Sequence, residues 1–197
     1  GGQFAELNCQ AYGALYQDVL TVPGATLNWS LAHAGRDGTD TMALLIAPVD
    51  VAQDITDALK NKTTRAAIQE ALNGSITVNG VNVPIRNYIV DGNISDGCTA
   101  WGVHNGTYTV PAGQYVSRFF FVAVASASGD SEEGLKRGNL IDRVWFSTDP
   151  VPPAAGSGIL RVTKTLLKTD GTALTDAELI QAKENLHFTV VNSDRQI

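Results

Sequence analysis

The stretch Ala32-His-Ala-Gly-Arg-Asp-Gly-Thr-Asp40 carries the densest set of chemically capable side chains in this 197-residue chain. It lies between two strand-like runs, so Arg36, Asp37 and Asp40 are presented on a loop. A forked guanidinium and flanking carboxylates make directional hydrogen bonds of the kind that read sugar hydroxyls. The same groups can pair with one another and pin the loop. Glu6 and Asn8 sit two residues apart and fall on one face of the first strand. They could line a polar concave surface or offer oxygen ligands to a structural calcium, although no Asp-x-Asp calcium loop is present. Trp29 and Trp145 have apolar strand neighbours and read as core, whereas Trp101, in Asp96-Gly-Cys-Thr-Ala-Trp-Gly102, is the better sugar-stacking platform. Asp142 shares a strand face with Leu140, Val144 and Phe146. It is expected to be partly buried as a structural residue, with Arg36 or backbone N–H groups as donors. In Ile159-Leu-Arg-Val-Thr-Lys-Thr-Leu166 the alternation puts Lys164 on an apolar face, where burial disfavours the charged ammonium.

Other chemistries find no support. His33, His104 and His187 are far apart in sequence and form no zinc spacing, so no metal is assigned. Glu132-Glu133 lies in a solvated acidic loop, and nothing specifies two carboxylates held across a cleft. No Gly-x-Ser-x-Gly elbow, P-loop or dinucleotide fingerprint occurs. The expectation is a protein that is not an enzyme and needs no cofactor, structural calcium aside.

The elements that must position these residues read as all-β. Apolar residues make up 44% of the chain and net charge is −6, with signs interspersed. No basic cluster suits nucleic acid, and no run reaches transmembrane length. Strands are expected at 4–8, 14–19, 25–33, 41–47, 76–83, 106–110, 115–125 and 139–147. Asn79-Gly80 is a hairpin signal inside the fifth. The run Phe119-Phe-Phe-Val-Ala-Val-Ala125 is apolar on both faces and predicts a central strand. Residues 49–59 and 63–72 suit helices, with Thr63 as N-cap and Asn73-Gly74 as the stop. Thr175-Asp-Ala-Glu178 matches a capping box opening a further helix. Cys9 and Cys98 leave open a disulfide or two small buried apolar residues. Asp149-Pro-Val-Pro-Pro-Ala-Ala-Gly-Ser-Gly158 is a semi-stiff spacer. It divides residues 1–149 from a second domain at 159–197, with a linker at 150–158. The Gly1-Gly2 start and abrupt end suggest a piece of a longer protein.

Two resemblances follow. Gln3-Phe-Ala-Glu-Leu-Asn8, Leu15-Tyr-Gln-Asp-Val19, Thr21-Val-Pro-Gly24, Trp29-Ser-Leu-Ala-His-Ala-Gly-Arg36, Gly38-Thr-Asp-Thr-Met42, Gly106-Thr-Tyr-Thr-Val-Pro-Ala-Gly-Gln114 and Gly138-Asn-Leu-Ile-Asp142 together resemble a galactose-binding-like jelly-roll sandwich. Such sandwiches occur in carbohydrate-binding modules and bacterial surface proteins, and they host many functions. The strand around Lys164, with Asp170-Gly171 and Leu186-His-Phe-Thr-Val190, is similar to the opening of a pilin-type or collagen-adhesin B-type domain of immunoglobulin-like or prealbumin-like fold. In those stalk modules of Gram-positive surface proteins such a lysine forms an isopeptide bond to Asn or Asp. The acceptor lies on a last strand that this chain does not contain, so Lys164 is expected to be unbonded here.

The resemblances imply an extracellular, wall-anchored adhesin-like protein whose first domain binds a glycan or host surface ligand. The incomplete second domain could pair its open strand edge with a neighbouring molecule. The alternatives are a structural pilin or wall-anchored spacer with no ligand, and the accessory domain of a glycoside hydrolase.

Overall fold

The computed structural model describes residues 4–148 and Thr175. Lys164, the spacer and the second domain therefore lie outside the described residues, as does the helix expected after Thr175. Among the described residues, ten strands and two α-helices run in the order β1 (Ala5–Glu6), β2 (Ala14–Leu20), β3 (Thr26–Ala34), β4 (Asp40–Pro48), α1 (Val49–Leu59), α2 (Arg65–Asn73), β5 (Ser75–Val78), β6 (Val81–Pro84), β7 (Ile89–Asp96), β8 (Gly102–Thr109), β9 (Val116–Ala125) and β10 (Leu140–Ser147). One sheet has the order β1-β10-β3-β8 and the other β2-β9-β4-β7, with every pairing antiparallel. With the β5–β6 hairpin set aside, the chain crosses to the other sheet at every step except β4 to β7, which pair with each other, and the eight strands form a double Greek key. That is the topology of a jelly roll, so the chain carries an antiparallel β-sandwich with a small helical insertion. The insertion, α1 through β6, falls between β4 and β7.

The core explains the doubly apolar run in β9. Phe119 and Phe121 point between the sheets, where Phe119 lies 3.9 Å, centroid to centroid, from Phe146 of the opposite sheet. Phe120 faces the other way, towards Tyr16 and the α1–α2 corner. Both faces of β9 and β4 are buried because α1 and α2 lie on the outer face of their sheet. The helices thus cover a face rather than extend one edge or end. Their packing stripes are Val51, Ala52, Ile55 and Leu59 on α1 and Ile68 and Leu72 on α2. Spacings of three and four residues bring such groups to one side of a helix. Thr64, not Thr63, caps α2, its Oγ1 accepting from Ala67 N–H, and Gly74 is the C-cap. Asn79 and Gly80 both have positive φ, as a tight two-residue hairpin requires.

Three expectations are corrected. The eighth strand begins at Gly102, four residues before the expected start at 106. The strand β7 was not expected, because residues 89–96 show no clean alternation; it pairs with β4 through two register shifts. A third shift sits in β10, where Arg143 has φ 49° and an extra residue lies between Asp142 and Trp145. The bulge reverses the alternation, as bulges do. Ile141 and Phe146 therefore both face the core, and Asp142 does not share a face with Phe146. Asp142 is half-buried and its Oδ1 accepts from Arg143 N–H, not from Arg36.

Candidate functional site: the seam between β7 and β8

The strands β7 and β8 are the edges of their sheets on the same side of the sandwich. Each has a ladder partner on one side only, so the seam between them is lined by backbone donors and acceptors as well as side chains. Near the helical insertion the seam widens into a cleft of about 570 Å³. That volume lies in the range of small-molecule sites. One wall comes from Asp50, Asn87 and Tyr88, the other from Thr107, Tyr108 and Gln114.

Local structure sets the two tyrosines. Tyr88 ends a 3-10 turn, Ile85–Tyr88, that leads directly into β7. Tyr108 lies near the end of β8 and donates its hydroxyl proton to Gln114 Oε1 at 3.1 Å. Gln114 is buried and anchored in turn through Nε2 to Ser117 Oγ at 2.6 Å. The side chain that positions Tyr108 is thus itself held from behind. Burial pushes both phenols above their ordinary pKa, with Asp50 adding to the effect at Tyr88 and the Gln114 hydrogen bond opposing it at Tyr108. Both tyrosines are therefore neutral near pH 7, with apolar ring faces and a polar tip, suited to the C–H and O–H sides of a sugar. Asp50 is the one carboxylate lining the cleft among the described residues.

At the other end of the seam the two sheets are joined by polar groups. Asp96, the last residue of β7, places Oδ2 2.8 Å from His33 Nδ1 and 2.7 Å from His104 Nε2. His33 is fully buried, while Asp96 and His104 reach the surface. The β3–β8 register pairs His33 with Gly102 and Leu31 with His104, which places both imidazoles on one face. Among the described residues these three form the group whose ligand atoms converge, all within 4.8 Å of one another.

The residues singled out from the sequence lie elsewhere, and several have internal partners. Asp40 is fully buried and accepts from the backbone N–H groups of Arg36, Ala127 and Asn139 at 2.8–2.9 Å. Asn8 is also fully buried, and its Oδ1 accepts from Asn139 Nδ2. Neither can meet a ligand. Glu6 takes a two-pronged contact from Arg36 Nη1 at 2.6 and 2.8 Å and a further bond from Gly138 N–H. Asn8 and Glu6 therefore build no calcium cage; Glu6 ties β1 to the 36–40 loop through Arg36, and Asn8 ties the turn after β1 to Asn139. Asp37 is exposed and accepts from Ser128 Oγ, which lowers its carboxyl pKa, with Arg137 assisting. Trp101 is exposed and packs at a tilt against exposed Phe4, their centroids 6.1 Å apart. Trp29 is buried as expected. Cys9 and Cys98 are exposed and not disulfide-bonded, so they are not buried apolar residues either.

Sequence reading missed Tyr88, Tyr108 and the joining of His33 with His104. Only the β3–β8 register would have revealed the histidine pair, and the strand that supplies Asp96 was the one left unassigned.

No family model and no curated relative matches the chain. Among solved structures it is similar to one described as "CBM4 structure and function", with a TM-score of 0.37 and 12% identity over 68% of this chain and 59% of that one. It is also similar to the enzymatically active domain of tailspike protein 4 of bacteriophage CBA120, with a TM-score of 0.32 and 14% identity over 68% of this chain and 13% of that one. The chain therefore spans less than two thirds of either structure's length.

Proposed function

We propose that the sandwich is a non-catalytic carbohydrate-recognition module, displayed by a bacterial surface protein, that binds glycan in the cleft at the wide end of the β7–β8 seam. The observation that carries the reading is the placement of two half-buried tyrosines, Tyr88 and Tyr108, on opposite walls of a cleft that also presents Asp50 and Asn87. Aromatic faces take the apolar side of a sugar, and the carboxylate, the amide and open strand edges take its hydroxyls. A lone carboxylate favours binding over glycoside cleavage, which uses two carboxyl groups across the bond. The display on a wall-anchored stalk rests on the sequence resemblance alone.

The test is a glycan array followed by calorimetry on any hit. Tyr88→Ala and Tyr108→Ala are expected to weaken binding at least about ten-fold, because each removes a stacking face. Both variants should keep the far-ultraviolet spectrum of the parent. Binding that survives both substitutions, or that is lost instead in Trp101→Ala, moves the ligand off the cleft. Absence of any glycan hit favours the ligandless spacer.

A further inference from the structure

The narrow end of the seam contains a set of hydrogen bonds that a neutral His33 cannot satisfy, so either a second proton on His33 or a bound cation must complete it. Asn139 Nδ2 donates to the carbonyl oxygen of Ala125 at 3.0 Å and to Asn8 Oδ1 at 3.0 Å. The backbone carbonyl can only accept, so the Asn139 amide has one orientation, and its Oδ1 is the atom 3.1 Å from His33 Nε2. His33 must therefore carry its proton on Nε2 and donate it to Asn139. In neutral imidazole the other nitrogen, Nδ1, is then a bare lone pair. That lone pair points at Asp96 Oδ2, also an acceptor, 2.8 Å away. Two acceptors so close need a positive centre between them.

We propose that His33 Nδ1, His104 Nε2 and the Asp96 carboxylate bind a zinc-type divalent cation that clips the ends of β7 and β8 to β3. Two imidazoles and one carboxylate are the donor set that first-row divalent ions such as zinc prefer, whereas calcium asks for oxygen throughout. Metal–nitrogen bonds of about 2.0–2.1 Å put the ligand atoms of a tetrahedral site roughly 3.3 Å apart. The Asp96 oxygen, now 2.7–2.8 Å from both imidazole nitrogens, would retreat by about 0.5 Å, and the two nitrogens, within 4.8 Å of each other, would close towards the same spacing. The hydrogen bond from His33 Nε2 to Asn139 is the outer-shell contact that fixes a ligating tautomer. Asn139 is itself buried, with its N–H on Asp40. Gly102 makes room for the group, since a Cβ there would sit 1.8 Å from Asp96 Oδ1. His104 and Asp96 reach solvent, so a fourth position is open to water.

The test is a cobalt(II) titration of the chelator-treated full chain, followed by visible absorption, with zinc competition and long-range imidazole nitrogen spectra. The expected result is uptake of one equivalent, visible bands of a four-coordinate site, displacement by zinc, and His33 protonated on Nε2 with Nδ1 on the metal. His104→Ala and Asp96→Asn should each weaken uptake at least about ten-fold. Both change partly exposed side chains, so folding can be confirmed by circular dichroism. Cys98→Ser should bind like the parent. No stoichiometric uptake, with His33 protonated on both nitrogens, overturns the proposal in favour of a proton bridge. Uptake unchanged in both ligand variants overturns it in favour of ligands elsewhere, such as a thiol or His187.

Discussion

At the scale of single residues, the charged groups of this domain divide into those that hold loops and those that hold sheets. Asp40 belongs to the first kind. Its position in a polar loop was legible, but its burial was not, because three backbone N–H groups converge on it from segments up to 99 residues away. Long-range convergence of that kind leaves no local pattern. Arg118 belongs to the second kind. It projects from the buried strand β9 on the face covered by α1, and it grips both oxygens of Asp18 at 2.7 and 2.9 Å. Its Nη1 donates to Thr56 Oγ1, and its guanidinium carbon lies 4.2 Å from the centre of the Tyr16 ring. The Arg118 hydrogen bonds hold the Asp18 carboxyl below its ordinary pKa of 3.8. A depressed native pKa contributes stability that is present above the unfolded value and disappears as pH falls through the native one. Asp18 is 39% exposed, so solvent screening limits the effect. Asp18→Asn is expected to lose about 0.5–1 kcal/mol at pH 7, and the gap should close as pH drops from about 5 into the acid range. Urea melts of both proteins across that range measure it; a gap independent of pH would mean that the ion pair is not its source.

At the scale of elements, legibility followed periodicity. Helix α1 matches the expected 49–59 span because its apolar residues recur at helical spacing on one face. The strand β9 was readable as central because its apolar run has no polar face, and the helices lying on its sheet explain why none is needed. The strand β7 was not readable. Its pairing with β4 holds two extra residues, so alternation breaks twice within Ile89–Asp96. The same cause put Asp142 on the wrong face relative to Phe146, which lies beyond the Arg143 bulge. Boundaries set by a single hydrogen bond were readable only to within a residue, as at the start of α2. The cap there gives an element-scale prediction. Thr64→Ala should destabilise the domain by about 1 kcal/mol, and Thr63→Ala by clearly less, since only Thr64 Oγ1 accepts from Ala67 N–H. Thermal melts of the pair decide between the two caps. Equal losses would place the energetic start of the helix one residue earlier.

At the scale of the whole domain, the all-β class was legible from strand runs and turn signals and the jelly roll from the family-like phrases, whereas the strand order and its seam were not. A seam is where two edges face each other without pairing, and no one-dimensional pattern marks it. Its physical consequence is uneven stability. The strands β4 and β9 have ladder partners on both sides and buried side chains on both faces. Their amides should exchange only through global unfolding. The strands β7 and β8 each hang from one neighbour, β4 and β3, so they can detach in smaller openings. A glycan in the cleft would touch both edges at once and oppose that detachment. Hydrogen exchange on the free chain should therefore show slow amides at Met42–Ile46 and Phe119–Val122 and faster ones along β7 and β8. A ligand that binds only the folded state at 100 times its Kd stabilises it by about 2.7 kcal/mol. The added protection should appear first at Ile89–Asp96 and Gly102–Thr109, the two strands that the cleft spans. Protection that instead rises along β1 and β10, with β7 and β8 unchanged, would place the ligand on the outer face near Phe4 and Trp101 and leave the seam a structural feature.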